Sequence, residues 1–201
     1  MGFNNIYCCG FLKAKATIMR KIYCILICII ITKMSTANTL TWASGLRTDS
    51  VAPIGKDVSS IDGIVAALYD VISGGAGEKR NWDRMRTLFI PEAKLMATGK
   101  RPDGSMAKRV RTLEEYITSS GPLLEKDGFF EREIGRTLDQ YGSIVQLFST
   151  YDSKRKQTDE TPFARGINSI QLWNDGTRWW IVFILWQSES TDTPIPSKYL
   201  K

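Results

Sequence analysis

The chain has 201 residues, of which 43% are hydrophobic and 24% are charged, a composition typical of one or two globular domains and not of disordered or collagen-like chains. Its formal net charge of +6 is concentrated in residues 1–37, and residues 38–201 carry only +1, so we expect no nucleic-acid partner. The sequence contains no histidine, and no cysteine follows Cys28. This excludes imidazole bases, and it excludes thiol nucleophiles and zinc–thiolate sites beyond that point, so we expect neither a metal nor a cofactor.

The first 37 residues resemble a secretory leader. Ten uncharged, mostly apolar residues, 22–31, follow Arg20 and Lys21, which is shorter than the roughly 20 residues of a membrane-spanning helix. The small residues Ser35, Thr36 and Ala37 follow this run, and we expect the leader to be cleaved after Ala37. We therefore predict a signal peptide over 1–37, a periplasmic or secreted protein, and no membrane span after cleavage. An uncleaved N-terminal anchor is the alternative.

A linker and two helices follow the leader. Residues 38–57 are rich in Thr, Ser, Ala and Gly and are predicted to be a flexible linker. Apolar residues from Ile61 to Ile72 recur at helical spacing, with Ser59 as the expected N-cap. Asn81 is expected to cap a second helix that carries Trp82, Met85 and Phe89 on one side and ends at Pro91.

The remaining pattern predicts a hairpin, a third helix and four strands. Pro102-Asp103-Gly104 joins strands at 92–98 and 105–111, and Thr112 with Glu115 forms a capping box for a helix that Gly121-Pro122 should disturb. Extended runs follow at 129–140, 143–153, 163–173 and 178–187. The predicted class is α+β, in the order ααββαββββ, with a curved antiparallel sheet of about six strands wrapped around three helices.

This element order resembles the nuclear transport factor 2-like superfamily, whose cystatin-like cone is shared with ketosteroid isomerase and SnoaL-like polyketide cyclases. The resemblance covers residues 58–190 and is carried by the helix from Ile61 to Ile72 and by Trp179–Val182 after the Asn-Asp-Gly turn. Residues 128–133 and 163–170 resemble an exported bacterial branch of unassigned activity. The resemblance implies one pocket between sheet and helices, with residues 191–201 as a tail outside the domain.

The same resemblance limits the chemistry of that pocket. Cyclase-like relatives often carry histidines on the last strand, where this chain has Phe183 and Leu185, so a histidine-dependent reaction is not expected. The expected ligand is small and apolar or acidic. The expected lining residues are Tyr69, Trp82 and Tyr116 on the helices and Arg132, Tyr151, Arg165 and Asn168 on the strands.

Each of these residues also has a structural interpretation. The aromatic residues fit an ordinary core, and Arg132 fits a cross-strand ion pair. Arg165 fits either a pair with Glu131 or Glu133 or a contact to an acidic ligand.

The last strand is apolar on both faces. Regular alternation places Trp179, Ile181, Phe183 and Leu185 on the inner face, and Trp180, Val182, Ile184 and Trp186 on the outer face. Because a large exposed apolar surface usually marks a partner site, we expect a homodimer through the outer row. The alternative cover is the tail, with Pro194–Pro196 and Tyr199-Leu200 folding back over the strand.

Two functional hypotheses remain. The favoured hypothesis is an exported small-molecule-binding or accessory domain that performs no chemistry. The alternative is an isomerase, cyclase or dehydratase that uses Glu131 or Glu133 as a buried base without His or Cys. A buried carboxylate at the pocket would favour the enzyme, and a pocket lined only by aromatic residues and Arg would favour binding.

Overall fold

The computed structural model describes residues 55–200, so the predicted signal peptide over 1–37 and nearly all of the predicted linker over 38–57 lie outside the described residues. The elements are α1 (Gly55–Val58), α2 (Ile61–Ile72), α3 (Trp82–Arg86), β1 (Phe89–Lys100), β2 (Met106–Thr112), α4 (Leu113–Asp127), β3 (Phe130–Tyr141), β4 (Ile144–Lys154), β5 (Ala164–Asn174), β6 (Trp179–Ser188) and a 3-10 turn at Ser197–Tyr199. The predicted α+β class and element order are confirmed, with α1 as an additional short helix.

The six strands form one open sheet in the order β2-β1-β6-β5-β4-β3. Four neighbouring pairs are antiparallel, but β1 and β6 are parallel, so the sheet is mixed and not the purely antiparallel sheet that we expected. The parallel pair arises because α4 carries the chain from the β1–β2 hairpin to the far edge of the sheet. The β3–β6 meander then returns strand by strand until β6 lies beside β1.

The second helix is shorter than the sequence predicted. Helix α3 ends at Arg86, and Phe89 already begins β1. Pro91 therefore lies inside a strand, in the stretch where the β1–β6 pairing is interrupted between Phe89 and Lys94. Proline has no N–H to donate to a neighbouring strand, and this interruption is where it is tolerated.

The other two helices start close to their predicted N-caps. Ser60, one residue after the expected Ser59, accepts a 2.9 Å hydrogen bond from the Gly63 N–H. The capping box of Thr112 and Glu115 is present at the start of α4. This helix continues past Pro122 to Asp127, because the fixed φ of proline is helical and the cost is confined to one lost N–H donor and local crowding.

The ends of α2 and α4 are joined by Arg80, whose side chain is buried at 7% exposure. Its guanidinium donates hydrogen bonds to the carbonyl oxygens of Ile72 at 3.1 Å, Gly74 at 2.6 Å and Leu124 at 3.1 Å. The Ile72 and Leu124 oxygens lie in the last turns of α2 and α4, where carbonyl groups lack partners within the helix, so one side chain joins the ends of two helices. The two helices and the inner face of the sheet enclose the core.

A bulge at Val182 interrupts the alternation of β6. Leu172 pairs with Ile181 and Gln171 pairs with Phe183, which leaves Val182 without a partner on β5. A single extra residue reverses the direction of every side chain that follows. Ile184 and Trp186 therefore face the helices and not the outer surface as predicted, whereas Phe183 and Leu185 face outward and not inward.

The C-terminal tail lies on the outer face of the sheet. The Tyr199 carbonyl oxygen accepts a 2.6 Å hydrogen bond from the Thr150 hydroxyl, and the Tyr199 ring lies 5.5 Å from the ring of Phe148. Pro194–Pro196 form one wall of a shallow groove with Leu185. The tail therefore covers part of this face. Within residues 55–200 no helix is long and apolar enough to cross a membrane.

Candidate functional site

A cavity of about 410 Å³ lies between the inner face of the sheet and helices α2 and α4. Most of its wall is apolar, as expected of a site for a small organic molecule. Its exposed lining residues lie at the end of α4, in the loop after β4 and at the end of β6, so the mouth opens there. Five of the residues singled out from the sequence meet at this cavity: Tyr69, Tyr116, Glu131, Tyr151 and Asn168.

Within the described part of the chain, Glu131 is the one carboxylate in the interior part of the wall. It lies near the start of β3, where it receives hydrogen bonds from Ser153 Oγ at 2.7 Å and Asn168 Nδ2 at 3.3 Å. Burial raises the pKa of Glu131 to about 7, with a smaller contribution from the negative charge of Asp152, because its two donors are neutral and only partly offset the loss of water. The carboxyl group is therefore able to take up and release a proton near neutral pH.

A chain of hydrogen bonds holds Asn168 in place beside Glu131. The Asn168 amide also donates to the Tyr69 hydroxyl at 3.1 Å, which lies 2.6 Å from Ser149 Oγ. Ser149 in turn donates to Glu133 Oε1 at 2.5 Å. Because Ser149 gives its proton to Glu133, the Tyr69 hydroxyl must donate to Ser149, and its oxygen is left to accept from Asn168. This series of hydrogen bonds fixes the orientation of the Asn168 amide, so that its N–H group points to Glu131.

Two further tyrosines provide hydroxyl groups at the cavity. The ring of Tyr116 packs edge-on against Trp186 at 6.3 Å and 88°, and its hydroxyl has no hydrogen-bond partner among residues 55–200. Burial, together with the nearby Glu131 charge, raises the pKa of Tyr116, so its proton is retained. The Tyr151 hydroxyl lies 3.3 Å from Ser188 Oγ, and a side chain at Gly166 would collide with it.

Four predicted site residues lie outside the cavity lining. The Trp82 indole donates to Glu125 Oε1 at 3.0 Å and packs against Gly121. Arg132 faces the outer side and pairs with Asp152 directly across the strands, at 2.9 Å. Arg165 also faces outward, and its Nε lies 3.5 Å from Glu189, not near Glu131 or Glu133. Glu133 shares the inner face with Glu131, but Arg136 binds both of its oxygens, at 2.9 and 2.6 Å.

Other lining residues were not anticipated from the sequence. Ser153 follows Tyr151 on the inner face of β4, and strand alternation could have identified it once the register was known. Ile184 and Trp186 reach the cavity only because of the bulge at Val182, for which the sequence offers no signal. Arg155 reaches the mouth from a loop. In the part of the chain that the structure describes, no three metal-binding side chains come together.

Neither protein-family models nor functionally curated proteins match the sequence. Solved structures with a similar fold include a cystatin-like protein of unknown function from Nostoc punctiforme, at 10% identity and a TM-score of 0.49, covering 65% of this chain and 90% of that one. A candidate ketosteroid isomerase from Shewanella frigidimarina has 15% identity and a TM-score of 0.43, with 63% and 94% covered. A nuclear transport factor 2-like protein of unknown function from Shewanella baltica has 11% identity and a TM-score of 0.40, with 66% and 99% covered.

These similar structures are of the cystatin-like, nuclear transport factor 2-like and ketosteroid isomerase-like kinds that the sequence resembles. The resemblance of residues 128–133 and 163–170 to an exported branch stays a prediction. The similarity concerns helices and strands, and it assigns no activity to this chain.

Proposed function

We propose that this protein binds a small, mainly apolar molecule in the central cavity and that Glu131 transfers a proton to and from it, as in an isomerase or a dehydratase. The observation that carries the proposal is the carboxyl group of Glu131, which lines an apolar cavity, has only neutral hydrogen-bond donors and has a pKa raised to about 7. A general base is most effective when its pKa lies near the working pH.

The proposed step removes a proton from a carbon atom next to a carbonyl group. The C–H bond breaks, the proton goes to a Glu131 oxygen, and the electron pair moves to the carbonyl oxygen as an enolate. The free hydroxyl of Tyr116 supplies a hydrogen bond for that oxygen, since its proton is retained and has no other acceptor among residues 55–200. When a C=C bond adjoins the deprotonated carbon, the enolate extends over it as a dienolate, and return of the proton to the far carbon of that bond shifts the double bond and completes an isomerisation without any external reactant.

Proton exchange on an apolar ketone tests this function directly. We expect the full protein to accelerate deuterium incorporation next to the carbonyl of β-tetralone in heavy water, followed by NMR. The rate should rise with pH and level off above about 7, where Glu131 is ionised. Glu131→Gln should lower it by about a hundredfold or more, since general-base catalysis contributes on that order.

Asp139 provides a matched control for this experiment, because it is an exposed carboxylate at the far end of the same strand. Asp139→Asn should exchange the ketone protons at the rate of the unmodified protein. Exchange that is equally fast in Glu131→Gln would contradict the assignment of the base.

Binding without chemistry is the second candidate function, and the mainly apolar wall of the cavity favours it. Under this alternative an apolar dye would bind in the cavity, but the protein would not accelerate exchange of the ketone protons. Native mass spectrometry of freshly purified protein tests ligand binding, which both candidate functions require. A retained small molecule adds its own mass to that of the protein.

Export of the protein is part of the same proposal. Its support is the short apolar run at 22–31 behind two basic residues and the small residues that end at Ala37. The mature protein should then lack residues 1–37, which its intact mass would show. A mature protein that retains these residues would instead support the uncleaved anchor.

A further inference from the structure

Among residues 55–200, Arg155 is the one cationic side chain that lines the cavity. It is the first residue after β4, two positions beyond Ser153 and four beyond Tyr151. Because side chains alternate along an extended chain, all three lie on the inner side of the sheet. Ser153 contacts Glu131, and the backbone of Arg155 lies two residues, about 7 Å, further along the chain, toward the exposed residues at the mouth.

Three contacts hold Arg155 at this position. Its guanidinium carbon lies 4.1 Å above the centre of the Phe163 ring, and Nη1 donates to the Gly128 carbonyl oxygen at 3.3 Å. Its backbone N–H donates to Asp159 Oδ2 at 3.1 Å, as does that of Lys156 at 2.9 Å. The loop and the aromatic ring therefore orient the side chain before any ligand arrives, which lowers the entropy cost of a contact.

The charge of Arg155 has no carboxylate partner within 4.0 Å among residues 55–200. The two arginines that the sequence predicted at the site do have carboxylate partners, because Arg132 pairs with Asp152 and Arg165 pairs with Glu189. Asp127 also lies at the mouth, but it forms no ion pair with Arg155. Apart from the bond from Nη1 to Gly128, the guanidinium N–H groups of Arg155 have no hydrogen-bond acceptor among residues 55–200. A guanidinium group in this state at the mouth of a cavity is suited to bind both oxygens of an anion such as a carboxylate.

We propose that Arg155 selects ligands that carry an oxyanion, such as a carboxylate, at one end of an apolar body. This inference rests on the proposed function and specifies its substrate class. The apolar body occupies the cavity, the reactive carbon lies at Glu131, and the anionic end lies at Arg155 at the mouth. This arrangement keeps the ligand charge apart from the negative charge that Glu131 carries as a base.

Two dyes with the same aromatic skeleton test the proposal. Anilinonaphthalene sulfonate carries an anion and N-phenylnaphthylamine does not, and the fluorescence of both increases in an apolar site. We expect Arg155→Gln to weaken binding of the sulfonate dye about fivefold and to leave the neutral dye unchanged. Asp127→Asn should have the opposite effect on the sulfonate dye, because it removes a repulsive charge. Naphthylacetate should displace either dye better than naphthylacetamide does.

A cavity-filling variant shows whether the dyes report on this site. Ala164 lines the cavity, so Ala164→Trp should reduce binding of both dyes, provided that circular dichroism shows an unchanged fold. Ser120→Trp, from the opposite wall, serves the same purpose if the first variant does not fold.

The outcomes separate the two proposals. If Arg155→Gln weakens both dyes equally or neither, the anion selectivity is wrong while the cavity remains a binding site. If neither dye binds, or the cavity-filling variants do not affect binding, the proposed function itself loses its support.

Discussion

Glu131 and Glu133 lie on the same face of one strand, yet their surroundings give them different roles. Glu133 is neutralised by Arg136, which binds both of its oxygens and is itself paired with Asp62 at 2.6 Å. Glu131 receives only neutral hydrogen bonds. A neutral donor stabilises a carboxylate much less than a cation does, so burial determines the pKa of Glu131.

The sequence alone could place both glutamates on one face but could not choose between them. The choice depends on Arg136, which reaches Glu133 because the pairing of β3 with β4 shifts between Glu133 and Gly135. It also depends on Asn168, which comes from a strand far away in the sequence. The contacts of Arg136 and Asn168 both depend on how the strands pair in the folded sheet, and local sequence patterns do not encode that pairing.

The raised pKa of Glu131 predicts how stability changes with pH. The folded carboxyl keeps its proton up to a pKa of about 7, whereas the unfolded one has its ordinary pKa of 4.5. Between these values the folded state binds more protons, so the contribution of Glu131 is complete below pH 4.5, is lost as the pH rises to about 7 and is constant above it. The change is on the order of 3 kcal/mol.

Urea unfolding at several pH values measures this contribution. Glu131→Gln is neutral at every pH, so its free energy of unfolding relative to the unmodified protein should increase between pH 4.5 and 7 and then stay level. The carboxylates elsewhere titrate alike in both proteins and cancel in the difference. A difference that is independent of pH would show that Glu131 titrates normally.

At the scale of the elements, the prediction from sequence succeeded where turns and alternation act locally. The predicted run 143–153 corresponds to β4 at Ile144–Lys154, and the Asn-Asp-Gly turn does separate β5 from β6. The same reasoning failed within β6, where the residues from Trp179 to Trp186 are all apolar. A run that is apolar on both faces fits either register equally well, so the sequence carries no sign of the bulge at Val182.

The bulge places Trp180 and Trp186 on opposite faces, whereas regular alternation places them on the same face. Trp186 packs against Tyr116 at the cavity, and Trp180 lies under the Arg178 guanidinium group at 3.6 Å and donates to Asp175 at 2.7 Å. We expect Trp186→Ala to lower the free energy of unfolding by about 3 kcal/mol, because the partly buried ring packs against Tyr116 and the core. Trp180→Ala should cost about 1 kcal/mol.

Dye binding distinguishes the two tryptophans further. N-phenylnaphthylamine should bind more weakly to Trp186→Ala, because Trp186 forms part of the cavity wall, and equally well to Trp180→Ala. Equal effects of the two substitutions on both stability and binding would contradict the bulge.

At the scale of the whole molecule, the outer face of the sheet has two parts. The tail covers the part around Phe148 and Leu185, which is one of the two covers expected for this face. The remaining part extends toward the edge strand, where Met96 pairs with both Leu185 and Val110, and Val110 is 50% exposed. An apolar row that continues onto an exposed edge leaves a surface that the tail does not reach.

We propose that a second copy of the chain covers this remaining surface. The contact would then be centred on Val110, Met96 and Phe183, not on Ile184 and Trp186, which the bulge turns toward the core.

Light scattering at micromolar concentration should give the mass of a dimer. Because Val110 is already half exposed, Val110→Glu should leave the fold intact and convert the dimer to a monomer. Thr118→Glu, at an exposed position of α4 away from the sheet, also adds one negative charge and should remain dimeric. A monomeric mass for the unmodified protein would mean that the tail alone is sufficient cover.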